Sequence, residues 1–435
     1  MSIQDIIDWS ELDKSARQKL IARPNVAIDG QIRTTVEAIL DKVETSGDEA
    51  IKKLTLEYDG VSIDELKMND VEINNAIQRT SNEIKDELQK AIENITIFHQ
   101  NTMHSPSSIL EVKPGVFCEK IIKPISNVGL YIPSGRNPLP STALMLGIPS
   151  KLAGSKNRVL CSPPNENGLI DDSIVTAASF CGITEMFKIG GAQAIAALAY
   201  GTKSVTKVDK IFGPGNSFVT MAKTLLSATT EIAIDMPAGP TEVLVISDGN
   251  TEPDYVAYDL LSQAEHGPDS QVIHISPDRT FIKKVQESIN RIMQNLETKD
   301  IVKFALLNSK SIWVQDVLTA IDISNSYAPE HLILSTENPR QYLDLIESAG
   351  SIFLGYWSPE SAGDYCSGTN HVLPTAGYAK SLSGVSVESF TKTVSVQELT
   401  KSGLENLSKT ITVLARAEGL EAHAKAVEVR LRGNE

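Results

Sequence analysis

The chain has 435 residues, 41% of them hydrophobic, which is enough for roughly two to four domains with ample apolar core and no need of staples. A net charge of −15 with no Lys/Arg run argues against nucleic acid and anionic membrane as partners, and for a small-molecule ligand. Cys118, Cys161, Cys181 and Cys366 show no paired spacing, so a disulfide framework is excluded and a reducing cytoplasm fits best. The N-terminal stretch has neither a basic leader nor a long apolar run, and no segment approaches the roughly 18 apolar residues of a membrane span, so a cytoplasmic location is expected.

In chain order, residues 34–58 and 80–101 read as amphipathic helices. The second opens on a Thr80/Glu83 capping box and lines up Ile84, Leu88, Ala91, Ile92 and Ile95 on one face. From about residue 126 short apolar runs (128–132, 159–161, 186–189, 210–212, 232–234) alternate with helical stretches (141–153, 171–181, 193–200, 216–228). That rhythm predicts a doubly wound parallel sheet. Several of its strands end in glycine or proline, as in Ile189-Gly-Gly-Ala-Gln193 and Phe212-Gly213-Pro214-Gly215-Asn216. Such turns can receive a nucleotide at the carboxyl ends of strands, although a tight turn explains them equally well and no G-x-G-x-x-G is present.

A second series follows, with strands at 243–246, 272–275, 312–314, 332–334 and 352–354 and helices at 253–265, 279–296 and 338–348. The predicted fold class is therefore α/β, with two doubly wound, incomplete Rossmann-like parallel-sheet domains plus small helical N- and C-terminal extensions. The expected division is 1–25 as the N-terminal extension, 26–130 with 241–385 as one discontinuous domain, 131–240 as an inserted domain, and 386–435 as a helical tail.

Four polar segments of the second half carry potential ligands or bases: Gln263-Ala-Glu265-His266, Ala328-Pro-Glu330-His331, Asp364 through Asn370-His371, and Glu418-Gly-Leu-Glu-Ala-His423. Four of the seven histidines fall in them, which points to one divalent-metal site with an acid/base pair beside it. Gln263 and His266, three apart at a predicted helix end, can share a face. Asp364 lies in a predicted loop after a strand, and Glu330 and His331, adjacent in an extended segment, are expected to point to opposite sides. Taken singly, each has an ordinary explanation: a helix-terminal histidine, a turn aspartate, a solvated C-terminal helix.

These segments, with Gly-Leu-Tyr131-Ile-Pro, Gly-Gly-Ala-Gln193, Phe-Gly-Pro-Gly-Asn216, Asp235-Met-Pro-Ala-Gly-Pro-Thr241-Glu-Val and His371-Val-Leu-Pro-Thr, resemble the histidinol dehydrogenase family over nearly the whole chain. The resemblance implies a zinc-dependent, NAD-linked homodimer of intertwined subunits that oxidises L-histidinol through L-histidinal to L-histidine, the last steps of histidine biosynthesis. It implies that Gln263, His266, Asp364 and His423 bind one zinc ion per subunit and lie against the substrate, with His423 supplied by the partner's tail. Thr241, His331, His371 and Glu418 match substrate contacts, Tyr131, Gln193 and Asn216 match NAD contacts, and Glu330 with His331 matches the catalytic pair. Two departures stand out: Thr241 replaces a more usual serine, and residues 133–140 lack the family's usual glycine at Ser134 and tyrosine at Leu139. The competing readings are a paralogue with the same machinery acting on another small diol and a zinc hydrolase in which Glu330 activates water. A zinc-stabilised scaffold is disfavoured because no cysteines cluster.

Overall fold

The computed structural model describes residues 3, 5–23, 30–103, 108–134, 137–237 and 239–432. Its strands are β1 Ile6–Asp8, β2 Leu110–Lys113, β3 Val116–Pro124, β4 Asn127–Tyr131, β5 Asn157–Ser162, β6 Glu185–Lys188, β7 Lys210–Phe212, β8 Ala233–Ile234, β9 Glu242–Ser247, β10 Gln271–Ser276, β11 Lys310–Trp313, β12 His331–Ser335, β13 Ser351–Leu354 and β14 Thr391–Leu399. They form two all-parallel sheets, β6-β5-β4-β7-β8 and β1-β11-β10-β9-β12-β13, and one antiparallel sheet, β14-β3-β2. Every residue of β9, β10 and β12 is buried, as strands covered by helices on both faces require. The α/β class and both parallel sheets agree with the sequence reading.

Three expectations are corrected. The helix Gly30–Asp59 packs through Val36, Ile39, Val43, Ile51 and Leu54 against Ile195, Leu198 and Ile211 of the five-stranded sheet and its helices. The helix Asn82–Thr102 covers the other side through Leu88, Ala91 and Ile95, against Leu130, Leu144 and Ile174. Residues 30–102 therefore join the five-stranded sheet rather than the six-stranded one, and the boundary expected at 131 falls on the last residue of β4. The N-terminus is more than a helical extension, because β1 pairs with β11 and completes the six-stranded sheet beyond the helix Lys14–Leu20. The tail begins with β14, which pairs along all of β3 before the helices Lys401–Ala417 and Glu421–Leu431. That strand is exposed at seven of its nine positions, so it carries no apolar alternation to betray it.

Smaller corrections follow from packing. Ser81, not Thr80, caps the helix Asn82–Thr102, accepting from the Ile84 amide at 3.3 Å. Thr80 ends an unforeseen helix, Asp70–Arg79, whose own capping box is Asn69 with Glu72. Residues 338–348 hold only a 3-10 turn, Pro339–Leu345. Gly135, Arg136 and Ala238, which belong to the segments compared above, lie outside the described residues. Among the described residues no helix is long and apolar enough to cross a membrane.

The ends of β4 and β7 approach closely at Gly213, whose φ of +122° puts any added Cβ against the Tyr131 carbonyl oxygen. Gly213→Ala is expected to destabilise the protein by about 1–3 kcal/mol. Gly154 also has positive φ but opens on empty space, so Gly154→Ala isolates the backbone component. Urea midpoints showing equal losses for the two would refute the close-approach argument.

Candidate active site

Two strand starts build the centre. His331 opens β12 beside Val243 of β9, so Thr241 and Glu242 face Glu330 and His331 at the amino edge of the six-stranded sheet. The carboxyl-end rule for open α/β sheets therefore holds for the first sheet's candidates and not for these. The backbone of Glu242 serves both acid/base candidates. Its N–H donates to Glu330 Oε2 at 2.9 Å, and its carbonyl lies 3.1 Å from His331 Nδ1. The Thr241 hydroxyl also donates to Glu330 Oε2, at 2.6 Å.

Glu330 and His331 do not diverge as expected, since Glu330 Oε2 lies 3.6 Å from His331 Nδ1. Alternation needs a regular strand, but Glu330 precedes β12 and follows Pro329 and Ala328, the latter at φ +55°. With Nδ1 facing a carbonyl, the imidazole carries its proton there and leaves the Nε2 lone pair open. That Nε2 is buried with no hydrogen-bond partner, 3.7 Å from Asp364 Oδ1.

Asp364 lies in a short helix, Glu360–Tyr365, rather than in the predicted loop, and that helix adds a residue the sequence reading passed over. Glu360, 1% exposed, sits one turn before Asp364 and reaches within 3.7 Å of His331 Nδ1. The four-residue spacing after Ser-Pro was the available signal, because it places both carboxyls on one helix face. Gln263, fully buried at the end of the helix Pro253–Ala264, lies between the Thr241 hydroxyl and Glu360, with its amide nitrogen best placed on Glu360. His266 falls outside that helix and is exposed, so the two do not share a helical face. It is near enough to His331 and His371 for their charges to oppose one another.

Burial dominates the electrostatics. It pushes Glu330 and Glu360 well above the usual carboxylate range, with neighbouring carboxyls adding to the effect, and raises Asp364 to about 7. Burial lowers His331 to about 3, reinforced by His371 and His266, and lowers His371 to about 4. His371 links the two sheets: Nδ1 meets the Asp364 carbonyl at 2.8 Å and Nε2 meets Thr142 Oγ1 at 3.0 Å, in the helix that follows β4.

His331, Glu360 and Asp364 offer ligand atoms within 4.8 Å of one another. Three crowded carboxyl groups around an imidazole with an orphaned nitrogen are what a divalent cation relieves, and N/O donors suit zinc. Of the four ligands expected, Gln263 and Asp364 stand in the cluster, and His266 lies near enough to act electrostatically on His331 and His371. His423 and Glu418 do not reach it. Both are exposed on the C-terminal helices, which add no residue to the four apolar cores among the described residues.

The remaining candidates gather at the carboxyl ends of the first sheet. The buried Tyr131 hydroxyl accepts from the Gly191 amide at 3.1 Å, next to buried Gln193. Asn216 caps the helix Ser217–Thr229, its oxygen taking the amides of Phe218 and Val219 at 3.1 Å, so only its amide nitrogen remains for a ligand. A buried ion pair, Lys223 with Asp235, braces this turn: Lys223 Nζ donates to the Gly213 carbonyl at 2.9 Å and the Gly213 amide to Asp235 at 2.8 Å.

Comparison with known proteins gives one answer. The family model for histidinol dehydrogenase matches residues 22–431. The histidinol dehydrogenase of Xanthomonas euvesicatoria pv. vesicatoria is 49% identical over 426 residues, covering 98% of this chain and 99% of its own. That of Escherichia coli O6:H1 is 49% identical over 432 residues, covering 99% and 98%. The crystal structure of histidinol dehydrogenase from Elizabethkingia anophelis superposes with a TM-score of 0.94 at 44% identity, covering 99% of both chains.

Were a divalent cation to take Asp364 as a ligand, the proton of that carboxyl would have to leave first, so affinity would rise as pH approaches about 7. In the metal-free protein the same shift works the other way. The folded carboxyl holds its proton more tightly than the unfolded one, so its contribution to stability declines as pH rises to about 7. Calorimetric titration of zinc into chelator-treated protein should show weaker binding and more proton release at about pH 6 than at about pH 8. Equal affinity and proton release at both would contradict this.

Proposed function

The chain belongs to the histidinol dehydrogenase family, and on that premise we propose that it oxidises L-histidinol through L-histidinal to L-histidine in the cytoplasm, with zinc and two molecules of NAD. The observation that carries this reading is the meeting of Glu330, His331, Gln263 and Asp364 in one buried centre, with His331 Nε2 open towards it. Family membership favours it over the hydrolase and the paralogue acting on another diol.

Gln263, His266 and Asp364 would hold zinc with His423 of a second copy in a homodimer, and Glu418 of that copy would reach the substrate. Bound zinc would supply a Lewis-acid anchor for the substrate's nitrogen donors, and NAD the hydride acceptor. Thr241 would offer its hydroxyl oxygen to the substrate, with His371, whose ring nitrogens meet Asp364 and Thr142, beside it, and Tyr131, Gln193 and Asn216 would line the NAD crevice. Thr241 keeps the hydroxyl of the more usual serine and uses it on Glu330.

His331, neutral at pH 7, takes the alcohol proton at Nε2 as hydride departs from carbon. The imidazolium so formed lies within 3.7 Å of Glu330, Glu360 and Asp364, whose ionised forms stabilise it. Glu330, which burial makes a stronger base when ionised than an exposed glutamate, takes a proton from water as that water adds to the aldehyde. As the water adds, the His331 imidazolium returns its proton to the aldehyde oxygen and Glu330 passes its own to solvent; His331, neutral again, then takes a proton of the hydrate as the second hydride departs from carbon.

The direct test is the number of NADH formed per L-histidinol consumed, before and after chelation and again with zinc restored. Two NADH per substrate, lost on chelation and regained with zinc, are expected. No NADH from zinc-loaded protein would defeat the proposal. His331→Asn should lower alcohol oxidation by at least about a hundredfold, while Glu330→Gln should chiefly slow the step from aldehyde to acid. Equal loss of alcohol oxidation in both variants, measured by single-turnover kinetics with each substrate, would overturn the division of roles.

A further inference from the structure

The two acid/base side chains depend on the backbone N–H and C=O of one residue, Glu242, and the Glu242 side chain is itself clamped from behind. Arg23 reaches it from the N-terminal segment with a two-point grip: Nε on Oε1 and Nη2 on Oε2, the latter at 2.7 Å. Arg23 Nη2 also donates to the Ala328 carbonyl at 3.1 Å, and the guanidinium lies 4.0 Å from the centre of the Tyr327 ring. Tyr327 is 1% exposed, and its hydroxyl is fixed on Gln271 Oε1 at 2.7 Å. Arg23 thus ties the start of β9 to Tyr327 and Ala328, which lead directly into Glu330 and His331.

Backbone conformation gives independent support. The only two non-glycine residues with positive φ among the described residues are Ala328 at +55° and Ala376 at +53°, and both touch this clamp. Ala328 presents its carbonyl to Arg23, and the Ala376 amide donates to Glu242 Oε1 at 3.2 Å. A left-handed alanine persists only where its surroundings over-determine it. The strained turn before the dyad is therefore held by the Arg23 and Glu242 side chains.

We propose that Arg23 and Glu242 form a positioning pair that fixes the geometry of Glu330 and the tautomer of His331. Neither is a catalytic residue; both act through the Glu242 backbone. The inference rests on the proposed roles of Glu330 and His331. A planar fork gripping a carboxylate at two points fixes orientation as well as charge, which a lysine ammonium does not.

The test compares Arg23→Ala, Arg23→Lys and the wild-type protein as zinc-loaded enzymes. Arg23→Ala should lower kcat for L-histidinol by about ten- to a hundredfold with KM changed by less than about threefold, since misplaced groups slow the chemistry without removing substrate contacts. Free guanidine should restore part of the loss, and Arg23→Lys should remain well below wild type. The imidazole 15N shifts of His331, assigned by their absence in His331→Asn, should report one Nδ1-protonated tautomer in the wild type and a mixture in Arg23→Ala. A kcat within twofold of wild type together with an unchanged tautomer would overturn the proposal. So would a loss of activity that appears in KM alone. Should Arg23→Ala fail to fold, Arg23→Lys decides by the same two readouts. Failure of the wild type to oxidise L-histidinol would defeat the functional reading instead, and the tautomer comparison would still decide whether the pair positions His331.

Discussion

Three carboxyl groups and an imidazole share a space from which water is largely excluded, and the rest of the second half of the chain can be read as the means of keeping them there. Charges cannot accumulate in such a place without partners. Glu330 is satisfied by the Thr241 hydroxyl and a Glu242 amide, His331 by a Glu242 carbonyl, Glu360 by Gln263. His331 Nε2 is left without a hydrogen-bond partner, and with the carboxyl oxygens of Glu360 and Asp364 it offers a place for an incoming cation. The six-stranded sheet supplies the rigidity: β9 and β12 are neighbours in register, so the four residues at their starts cannot drift independently.

What the sequence disclosed and what it hid divide along physical lines. The buried strands β4, β5, β9, β10 and β12 were visible because they are continuous apolar runs bounded by turn residues. The antiparallel sheet was not, because β2 is exposed throughout and β14 nearly so. The destination of the helix Gly30–Asp59 was equally hidden. An amphipathic face reveals that it must be covered, not which sheet covers it.

At the site, residue chemistry was legible and direction was not. Glu330, His331, Gln263 and Asp364 stood out by type and context, yet their convergence depends on a left-handed Ala328 and a one-turn helix that periodicity cannot register. Glu242 and Arg23 were invisible for a plainer reason. A glutamate within a strand and an arginine far upstream have no local pattern, and only the folded chain sets them side by side.

The exposed position of Glu418 and His423 reaches beyond one molecule. On the proposed two-copy arrangement, each chain carries most of one centre and the finishing groups of another, so a solitary chain is an incomplete catalyst. Catalytic capacity then follows mass action, falling steeply on dilution below the dissociation constant of the pair. Two differently disabled chains, one lacking its own base and one lacking the tail's ligand, would together rebuild a working centre in mixed pairs. The long β14 pairing that fastens the tail to its own body keeps that exchange from becoming a loss, because the donated helices stay tethered to the copy that made them.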